Sequence, residues 1–287
     1  MFVPRKTLEK RLQRMLAEDV GQGDITTATI IPANSTVEAE VMAKEAGVAA
    51  GIEEARILLE SLGLEVEALI VDGEGIRPKQ TLMRVSGDTR TILSAERTVL
   101  NILSRMSGIA TTTARLVGRL RKAGLKTKLA CTRKTAPGLL YFDKKAVLIG
   151  GGETHRLHLD DMILIKDNHI ALVGNIETAI KKARQDASFS KKIEVEATKP
   201  EDVLIAARAG ADIVMLDNFS PKQVEMAIKL LKKVGLIGKV LLEASGGITE
   251  QNILDYAPKV DIVSMGELTD SAHALDISLE VVKAKTK

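Results

Sequence analysis

Short apolar segments alternate with helical patterns through the second half of the chain, and this alternation constrains the fold more than any other feature. The apolar segments lie at residues 162–165, 193–197, 213–216, 240–244 and 261–265. The helical patterns between them lie at residues 175–185, 200–209, 221–233 and 249–257. Alternation of this kind predicts a parallel sheet covered by helices. The number of units indicates a parallel α/β barrel, either complete or partly open.

The first part of the chain has a different pattern. Apolar residues recur at helical spacing in residues 8–16, and a second helix is predicted over residues 53–62. Residues 37–43 and 64–68 alternate apolar with polar side chains, and a further short strand is predicted at 81–85. Half-buried, antiparallel strands mixed with helices indicate an α+β sandwich domain.

A helical segment, residues 91–120, connects the two patterns, and we expect it to break near Ser107 and Gly108. Residues 275–281 alternate again, which predicts a final strand that rejoins the first domain. The expected organisation is therefore an N-terminal α+β domain over residues 1–112, rejoined by 270–287, and an α/β barrel domain over residues 113–269 that carries the active site.

Composition argues against several functional classes. The formal net charge is only +3, aromatic residues make up 2% of the chain and tryptophan is absent, so a nucleic-acid-binding surface is not expected. The single cysteine, Cys131, permits neither an internal disulfide nor a cysteine-based zinc site. The N-terminal residues lack the apolar core of a signal peptide, and no apolar run is long enough to cross a membrane. We expect a cytoplasmic protein without a nucleic-acid or membrane partner.

Cationic side chains are concentrated in residues 132–169. The candidates for an anion-binding pocket there are Arg133, Lys134, His155, Arg156 and Lys166. A solvated basic face is the other interpretation of such a cluster. A buried strand and the glycines at 150–152 separate these charges, however, which favours a pocket, and the glycines are expected to turn the backbone so that His155 and Arg156 face it.

The ends of the predicted barrel strands also carry polar or small residues. These are Glu196, Asp217, Ser245, Gly246, Gly247 and Gly266. Because the carboxyl ends of the strands form the functional face of a barrel, we expect these residues to lie together. Residues 245–249 open a predicted helix whose first amides can bind a phosphate, although a turn with a helix cap explains the same residues equally well.

Several motifs occur together in an order and spacing that are far more specific than a single glycine signature. They are Thr132-Arg133-Lys134-Thr135 with Pro137-Gly138, then Gly150-Gly151-Gly152, His155-Arg156, and Leu164-Ile165-Lys166-Asp167-Asn168-His169, with further matches from Glu18-Asp19 and Gly23-Asp24 to Ala274-Leu275-Asp276-Ile277. On these motifs the chain resembles the quinolinate phosphoribosyltransferase family, also called nicotinate-nucleotide pyrophosphorylases (carboxylating). The resemblance implies a type II phosphoribosyltransferase fold, in which an incomplete parallel α/β barrel follows an N-terminal α+β sandwich domain.

The resemblance also implies a reaction. Quinolinate and phosphoribosyl pyrophosphate would give nicotinate mononucleotide, pyrophosphate and carbon dioxide in de novo NAD biosynthesis, with magnesium as the cofactor. The residues expected to carry catalysis are Lys134, Lys166, Glu196 and Asp217. Glu196 and Asp217 would hold magnesium, partly through the substrate, and the ribose hydroxyls, because hard cations prefer oxygen ligands.

The remaining candidates are expected to bind substrate. Quinolinate carries two carboxylates, which suit Arg133, His155 and Arg156. Lys134 and Lys166 would bridge quinolinate and the phosphates. The small residues at 245–247, with Gly266, would bind the 5-phosphate.

The last expectations from the sequence concern the oligomeric state and two other possible functions. The resemblance places Arg97, in Glu96-Arg97-Thr98, in the active site of the neighbouring subunit, which implies a homodimer with shared active sites or a homohexamer built from such dimers. Two other functions stay open: a nicotinate phosphoribosyltransferase, and a molybdenum-transport accessory protein of the same family. The intact Arg133-Lys134 pair and the run at 166–169 favour the quinolinate enzyme.

Overall fold

The computed structural model describes residues 3–285, which form two compact units. The first unit combines the chain up to Ala114 with Tyr141–Gly151 and the segment from Ala272 onward, and the second combines Arg115–Leu140 with Gly152–Ser271. The sequence prediction placed all of residues 113–269 in the barrel domain. The structure instead groups Tyr141–Gly151 with the first unit.

The helices and strands are distributed as follows. The helices are α1 (Arg5–Val20), α2 (Ile25–Ile30), α3 (Ile52–Ser61), α4 (Thr89–Lys122), α5 (Leu140–Ile149), α6 (Asp167–Val173), α7 (Ile176–Asp186), α8 (Pro200–Ala209), α9 (Pro221–Lys233), α10 (Ile253–Tyr256), which a 3₁₀ turn (Ala257–Lys259) follows, and α11 (Glu267–Asp270). The strands are β1 (Thr36–Ala43), β2 (Gly47–Val48), β3 (Glu65–Ala68), β4 (Gly75–Ile76), β5 (Thr81–Asp88), β6 (Lys128–Cys131), β7 (Ile163–Ile165), β8 (Ile193–Ala197), β9 (Ile213–Asp217), β10 (Leu241–Ser245), β11 (Ile262–Met265) and β12 (Ile277–Lys285). Among the described residues, no helix is long and apolar enough to span a bilayer.

An antiparallel sheet in the order β12-β1-β5-β3 forms the framework of the first unit. The apolar residues of β1 at alternate positions are buried, while the polar residues between them are more exposed, as the period of two predicts. The final strand pairs with β1 along its whole length, with Ala43 opposite Ile277. The end of the chain therefore lies in the same sheet as β1.

Helix α4 is continuous, so the predicted break near Ser107 and Gly108 is wrong. A Cβ atom on Gly108 would lie 1.8 Å from the carbonyl oxygen of His273, so only glycine lets the two backbones approach so closely. The hydroxyl of Ser107 donates to the carbonyl oxygen of Ala50 at 3.1 Å. The residues that suggested a break are packing residues inside an unbroken helix.

Buried charges explain why α5 belongs to the first unit. Lys145 Nζ lies 2.7 Å from Glu54 Oε1 and 3.6 Å from Asp72 Oδ2, and Glu54 is fully buried. Arg105 binds the buried carboxylate of Asp143 with two hydrogen bonds, of 2.7 and 2.9 Å. A buried charge is tolerated only when an opposite charge compensates it, so these pairs fix the helix in this unit.

Six parallel strands in the described part of the chain form the sheet of the second unit, in the order β6-β11-β10-β9-β8-β7. The five apolar segments found in the sequence correspond to β7–β11 within one residue at each end. Strands β6 and β7 are the edges of this sheet and do not pair with each other among residues 3–285, so the α/β barrel is incomplete. Strand β6 was not predicted.

Candidate active site

A cavity of about 630 Å³ lies at the carboxyl ends of the parallel strands in the second unit. All the predicted site residues except Arg97 line it: Arg133, Lys134, His155, Arg156, Lys166, Glu196, Asp217, Ser245, Gly246, Gly247 and Gly266. Arg97 lies on α4 in the first unit, where its side chain is exposed. The parallel topology explains the convergence, because it brings every strand-end segment to the same edge of the sheet.

The cations of the cavity differ in their surroundings. Arg156 is buried, and this burial, together with the neighbouring charge of Arg133, lowers its pKa. Lys166 donates from Nζ to Glu196 Oε1 at 2.9 Å. Arg133 and Lys134 are exposed in the loop that follows β6. Guanidinium and ammonium groups gathered in one concave site attract carboxylates and phosphates.

His155 lies between two fully buried carboxylates. Its Nε2 atom is 3.0 Å from Glu243 Oε2 and 3.2 Å from Glu194 Oε2. Ser264 donates a 2.6 Å hydrogen bond to the other oxygen of Glu243, whereas the buried Glu194 carboxylate has no further partner among the described residues. Burial alone would lower the pKa of His155, but the two carboxylates outweigh it and raise this pKa to about 10. His155 is therefore a fixed cation at neutral pH.

The same cluster shows what the sequence did not reveal. Glu194 and Glu243 lie within apolar strands, and their residue type gave no reason to expect complete burial around a histidine. The one available signal was the spacing of Glu194 and Glu196, which puts both side chains on the same face of β8. The backbone of His155 has a φ of 54°, in the left-handed region that non-glycine residues seldom adopt. Its conformation is thus imposed by the surrounding contacts.

Two carboxylates at neighbouring strand ends fit a divalent cation. Glu196 is the penultimate residue of β8 and Asp217 is the last residue of β9, and these strands pair side by side. Each carboxylate has one oxygen in a hydrogen bond: Glu196 Oε1 with Lys166, and Asp217 Oδ2 with Asn218 Nδ2 at 3.0 Å. Both residues line the cavity, so the second oxygen of each can bind a metal there. Magnesium commonly takes only one or two protein carboxylates and completes its shell with substrate oxygens and water.

The loop after β10 differs from the prediction. Helix α10 begins only at Ile253 and has four residues, so residues 245–249 do not open a helix. Gly246 and Gly247 instead adopt left-handed conformations, with φ of 85° and 62°. A Cβ atom on Gly246 would lie 2.3 Å from Asn218 Oδ1, so this loop needs glycine in order to pack against the end of β9.

Other clusters of potential metal ligands have different explanations. His158, Asp160 and Asp161 lie within ligand distance of one another but are all exposed. Glu53, Glu54 and Asp72 surround the ammonium group of Lys145, which supplies the cation that such a cluster needs. Neither cluster lines the cavity of the second unit.

Comparison with known families matches nearly the whole chain. The model described as "Quinolinate phosphoribosyl transferase, N-terminal domain" matches residues 24–107, and the model for the C-terminal domain of the same name matches residues 109–280. The protein from Methanothermobacter thermautotrophicus named "Probable nicotinate-nucleotide pyrophosphorylase (carboxylating)" is 45% identical over 271 residues, which is 94% of this chain and 97% of that protein. The human "Nicotinate-nucleotide pyrophosphorylase (carboxylating)" is 36% identical over 282 residues, 98% of this chain and 94% of the human protein.

Solved structures extend the match to three dimensions. The nicotinate-nucleotide pyrophosphorylase from Francisella tularensis is 37% identical, with a TM-score of 0.88 over 98% of both chains. The human nicotinic acid phosphoribosyltransferase is 14% identical, with a TM-score of 0.63 over 99% of this chain and 75% of that chain. The second similarity concerns the fold alone, whereas the first extends to the sequence.

Proposed function

The chain belongs to the quinolinate phosphoribosyltransferase family, and we propose that it transfers the phosphoribosyl group of phosphoribosyl pyrophosphate to quinolinate. Loss of carbon dioxide then gives nicotinate mononucleotide and pyrophosphate for NAD biosynthesis. The observation that carries this proposal is the cavity at the strand ends, where Arg133, Lys134, Arg156 and Lys166 face a space that also contains carboxylates suited to magnesium. The single cysteine and the biosynthetic reaction both fit the expected cytoplasmic location.

Quinolinate is bound through its two carboxylates. Arg156 and Arg133 offer guanidinium groups that match a carboxylate in a bidentate manner. His155 adds a charge that the buried glutamates keep in place through the neutral pH range. Together these groups orient the ring nitrogen toward the ribose, because fixing both carboxylates leaves the ring little freedom.

The bond changes follow from this arrangement. The ring nitrogen donates its electron pair to C1 of the ribose, and the bond from that carbon to pyrophosphate breaks with its electrons on the departing oxygen. Positive charge develops on the ribose, as it does in glycoside cleavage. Lys134 and Lys166 stabilise the negative charge that accumulates on pyrophosphate. The ring carboxylate next to the positive nitrogen then leaves as carbon dioxide, and a proton takes the electron pair left on the ring carbon.

Magnesium is the proposed cofactor, and Glu196 and Asp217 would hold it together with substrate oxygens. When bound, magnesium neutralises phosphate charge and orients the pyrophosphate. Lys166 donates a hydrogen bond to Glu196, so a proposed magnesium ligand lies next to a cation that would contact the phosphates. The loop that contains Gly246 and Gly247 is proposed to bind the 5-phosphate through backbone amides, since its left-handed glycines leave the backbone accessible.

A homodimer with shared active sites is the proposed assembly, either alone or as the building unit of a homohexamer. Arg97 is exposed on α4 in the first unit. A two-fold dimer would present the Arg97 of each subunit to the cavity of the other.

Substitution of the two catalytic lysines tests the proposed function. We expect Lys134→Ala and Lys166→Ala each to remove most turnover while the protein stays folded. Losing a charge-assisted contact costs about 1.5–3 kcal/mol, which corresponds to a decrease of about 10- to 150-fold in kcat/KM. Lys181→Ala is a matched control, because Lys181 forms an exposed ion pair with Glu177 on α7. Normal turnover of both folded active-site variants would contradict the assigned roles.

A further inference from the structure

A buried threonine contacts the backbone of a proposed catalytic lysine. Thr269, on the short helix α11, is fully buried. Its hydroxyl donates a 2.7 Å hydrogen bond to the carbonyl oxygen of Lys134 and lies 3.3 Å from the carbonyl oxygen of Gly266. Strands β6 and β11 are neighbours in the sheet, so the loop after β6 and the helix after β11 lie side by side, and both contribute residues to the lining of the cavity.

Gly266 supplies the space for the Lys134 side chain. Its φ of −66° is accessible to any residue, so conformation does not explain the glycine. A Cβ atom on Gly266 would lie 3.2 Å from Lys134 Cδ and 2.8 Å from Asp270 Oδ2. The aliphatic part of Lys134 therefore passes directly over Gly266, in space that a larger residue would occupy. From the sequence we expect this glycine to bind phosphate, and its contact with Lys134 could not be predicted.

Among the described residues, no partner fixes the position of the Lys134 ammonium group. The side chain is exposed and makes no hydrogen bond or ion pair with any residue in the described range 3–285. Its backbone amide donates to Thr132 Oγ1 at 3.1 Å, which shapes the turn. A lysine side chain whose ammonium group has no partner can adopt many rotamers, and its entropy favours this freedom. The position of its backbone and the contacts of its methylene groups therefore mainly determine where the ammonium group lies.

We infer that Thr269 is a positioning residue for Lys134, acting through the Lys134 carbonyl group while Gly266 keeps the path of the side chain clear. This inference rests on the proposed function, in which Lys134 contacts the substrate phosphates. It predicts that turnover depends on a hydroxyl group that itself contacts no substrate.

The test compares Thr269→Val with Thr269→Ser. Valine keeps the shape of threonine without the hydroxyl, whereas serine keeps the hydroxyl. We expect Thr269→Val to lower kcat by about 10- to 100-fold, because a displacement of about 1 Å at a catalytic group has effects of this size. Quinolinate KM should change less than kcat, since two of the proposed carboxylate binders, His155 and Arg156, lie outside the loop after β6. Thr269→Ser should retain kcat within about threefold of the wild type, because its hydroxyl can still donate to the Lys134 carbonyl oxygen.

A double-mutant cycle separates positioning from a general structural role. In a chain that already carries Lys134→Ala, Thr269→Val should change the residual kcat by less than about twofold, because the group that it positions is gone. An equal loss in both backgrounds would overturn the inference, as would wild-type kcat in Thr269→Val. If Thr269→Val does not fold, Gly266→Ala replaces it in the same cycle. Its added methyl group meets only the side chains of Lys134 and Asp270 at short range, and normal kcat in that variant would also overturn the inference.

A second readout does not depend on turnover. The lysines are reductively methylated with ¹³C-formaldehyde, and the Lys134 signal is identified by its absence in Lys134→Arg. We expect Thr269→Val, but not Thr269→Ser, to shift this signal toward that of a freely rotating lysine. If wild-type protein makes no product from quinolinate, the proposed function fails and this spectrum alone decides the positioning role: an unchanged signal in Thr269→Val would refute it.

Discussion

The charge state of His155 leads to a prediction about pH that can be worked out from the structure. The two glutamates around His155 raise its pKa to about 10, whereas an ordinary histidine has a pKa of about 6.5. At pH 8.5 an ordinary histidine is about 1% charged, while a group with a pKa of about 10 is about 97% charged. If quinolinate binds only to the imidazolium form, its affinity for the wild type should change by less than about twofold between pH 6 and pH 8.5.

The variant that tests this combines Glu194→Gln with Glu243→Gln. It removes both negative charges next to His155 and keeps the shapes of the side chains. Burial then acts alone and lowers the pKa of His155 to its ordinary value or below it. The affinity for quinolinate should therefore fall as pH rises above about 6.5, by about tenfold per pH unit and by up to about 100-fold at pH 8.5. The affinity falls with rising pH because neutral imidazole has no charge to attract the carboxylates of quinolinate. The two glutamates keep His155 protonated up to about pH 10, and without them His155 loses its proton at a lower pH.

Calorimetric titration with quinolinate at half-unit pH steps measures this effect. Ser264→Ala is the matched control: it removes the 2.6 Å hydrogen bond to Glu243 without changing the charge of the cluster, so the pH profile should stay flat. The reasoning is refuted if the affinity of the wild type already falls through neutral pH, or if the doubly substituted protein keeps a flat profile.

Three further predictions concern stability, magnesium and assembly. Lys145→Met should lower the free energy of unfolding by about 3–5 kcal/mol in urea titrations, because it leaves the buried carboxylate of Glu54 without the cation that compensates its charge. Glu196→Ala or Asp217→Ala should weaken the binding of phosphoribosyl pyrophosphate in calorimetry, and excess magnesium should partly restore it. Chains with Arg97→Ala and chains with Lys166→Ala should each be inactive, yet recover about a quarter of wild-type turnover after subunit exchange, since half of the chains then lie in heterodimers with one intact site.

Each of these predictions has a control and an outcome that contradicts it. For Lys145→Met, the additional change Glu54→Gln should recover part of the lost stability, and a loss below about 1 kcal/mol would contradict the buried-pair argument. For magnesium, unchanged binding in both carboxylate variants would exclude the assigned role. For assembly, heterodimers that are detected by mass spectrometry but have no activity would show that Arg97 does not complete the neighbouring site.

The parallel strands could be predicted closely because they are buried on both faces and read as continuous apolar runs. Strand β6 could not be predicted, because its four residues include a lysine and are too few to show a period. Helix α5 was also missed. Its Asp143, Lys144 and Lys145 look like surface charges in the sequence but are all buried, and only tertiary packing reveals ion pairs between residues about 90 positions apart.

The cavity residues were predictable to the extent that they follow strands. Strand-end positions such as Lys166 and Asp217 converge because the topology requires it. The contacts that hold those residues were not predictable from the sequence. Thr269 is one of many threonines until the fold places its hydroxyl on Lys134, and Glu243 resembles an ordinary strand residue until His155 and Ser264 surround it.

A comparison of two substrates decides whether the protein catalyses the proposed reaction. Purified protein is mixed with magnesium and phosphoribosyl pyrophosphate, then with either quinolinate or nicotinate, and nicotinate mononucleotide and released carbon dioxide are quantified. We predict that quinolinate gives nicotinate mononucleotide and carbon dioxide in equal amounts, and that nicotinate gives little product. Efficient product formation from nicotinate with none from quinolinate, or no product from either, would contradict the proposed function.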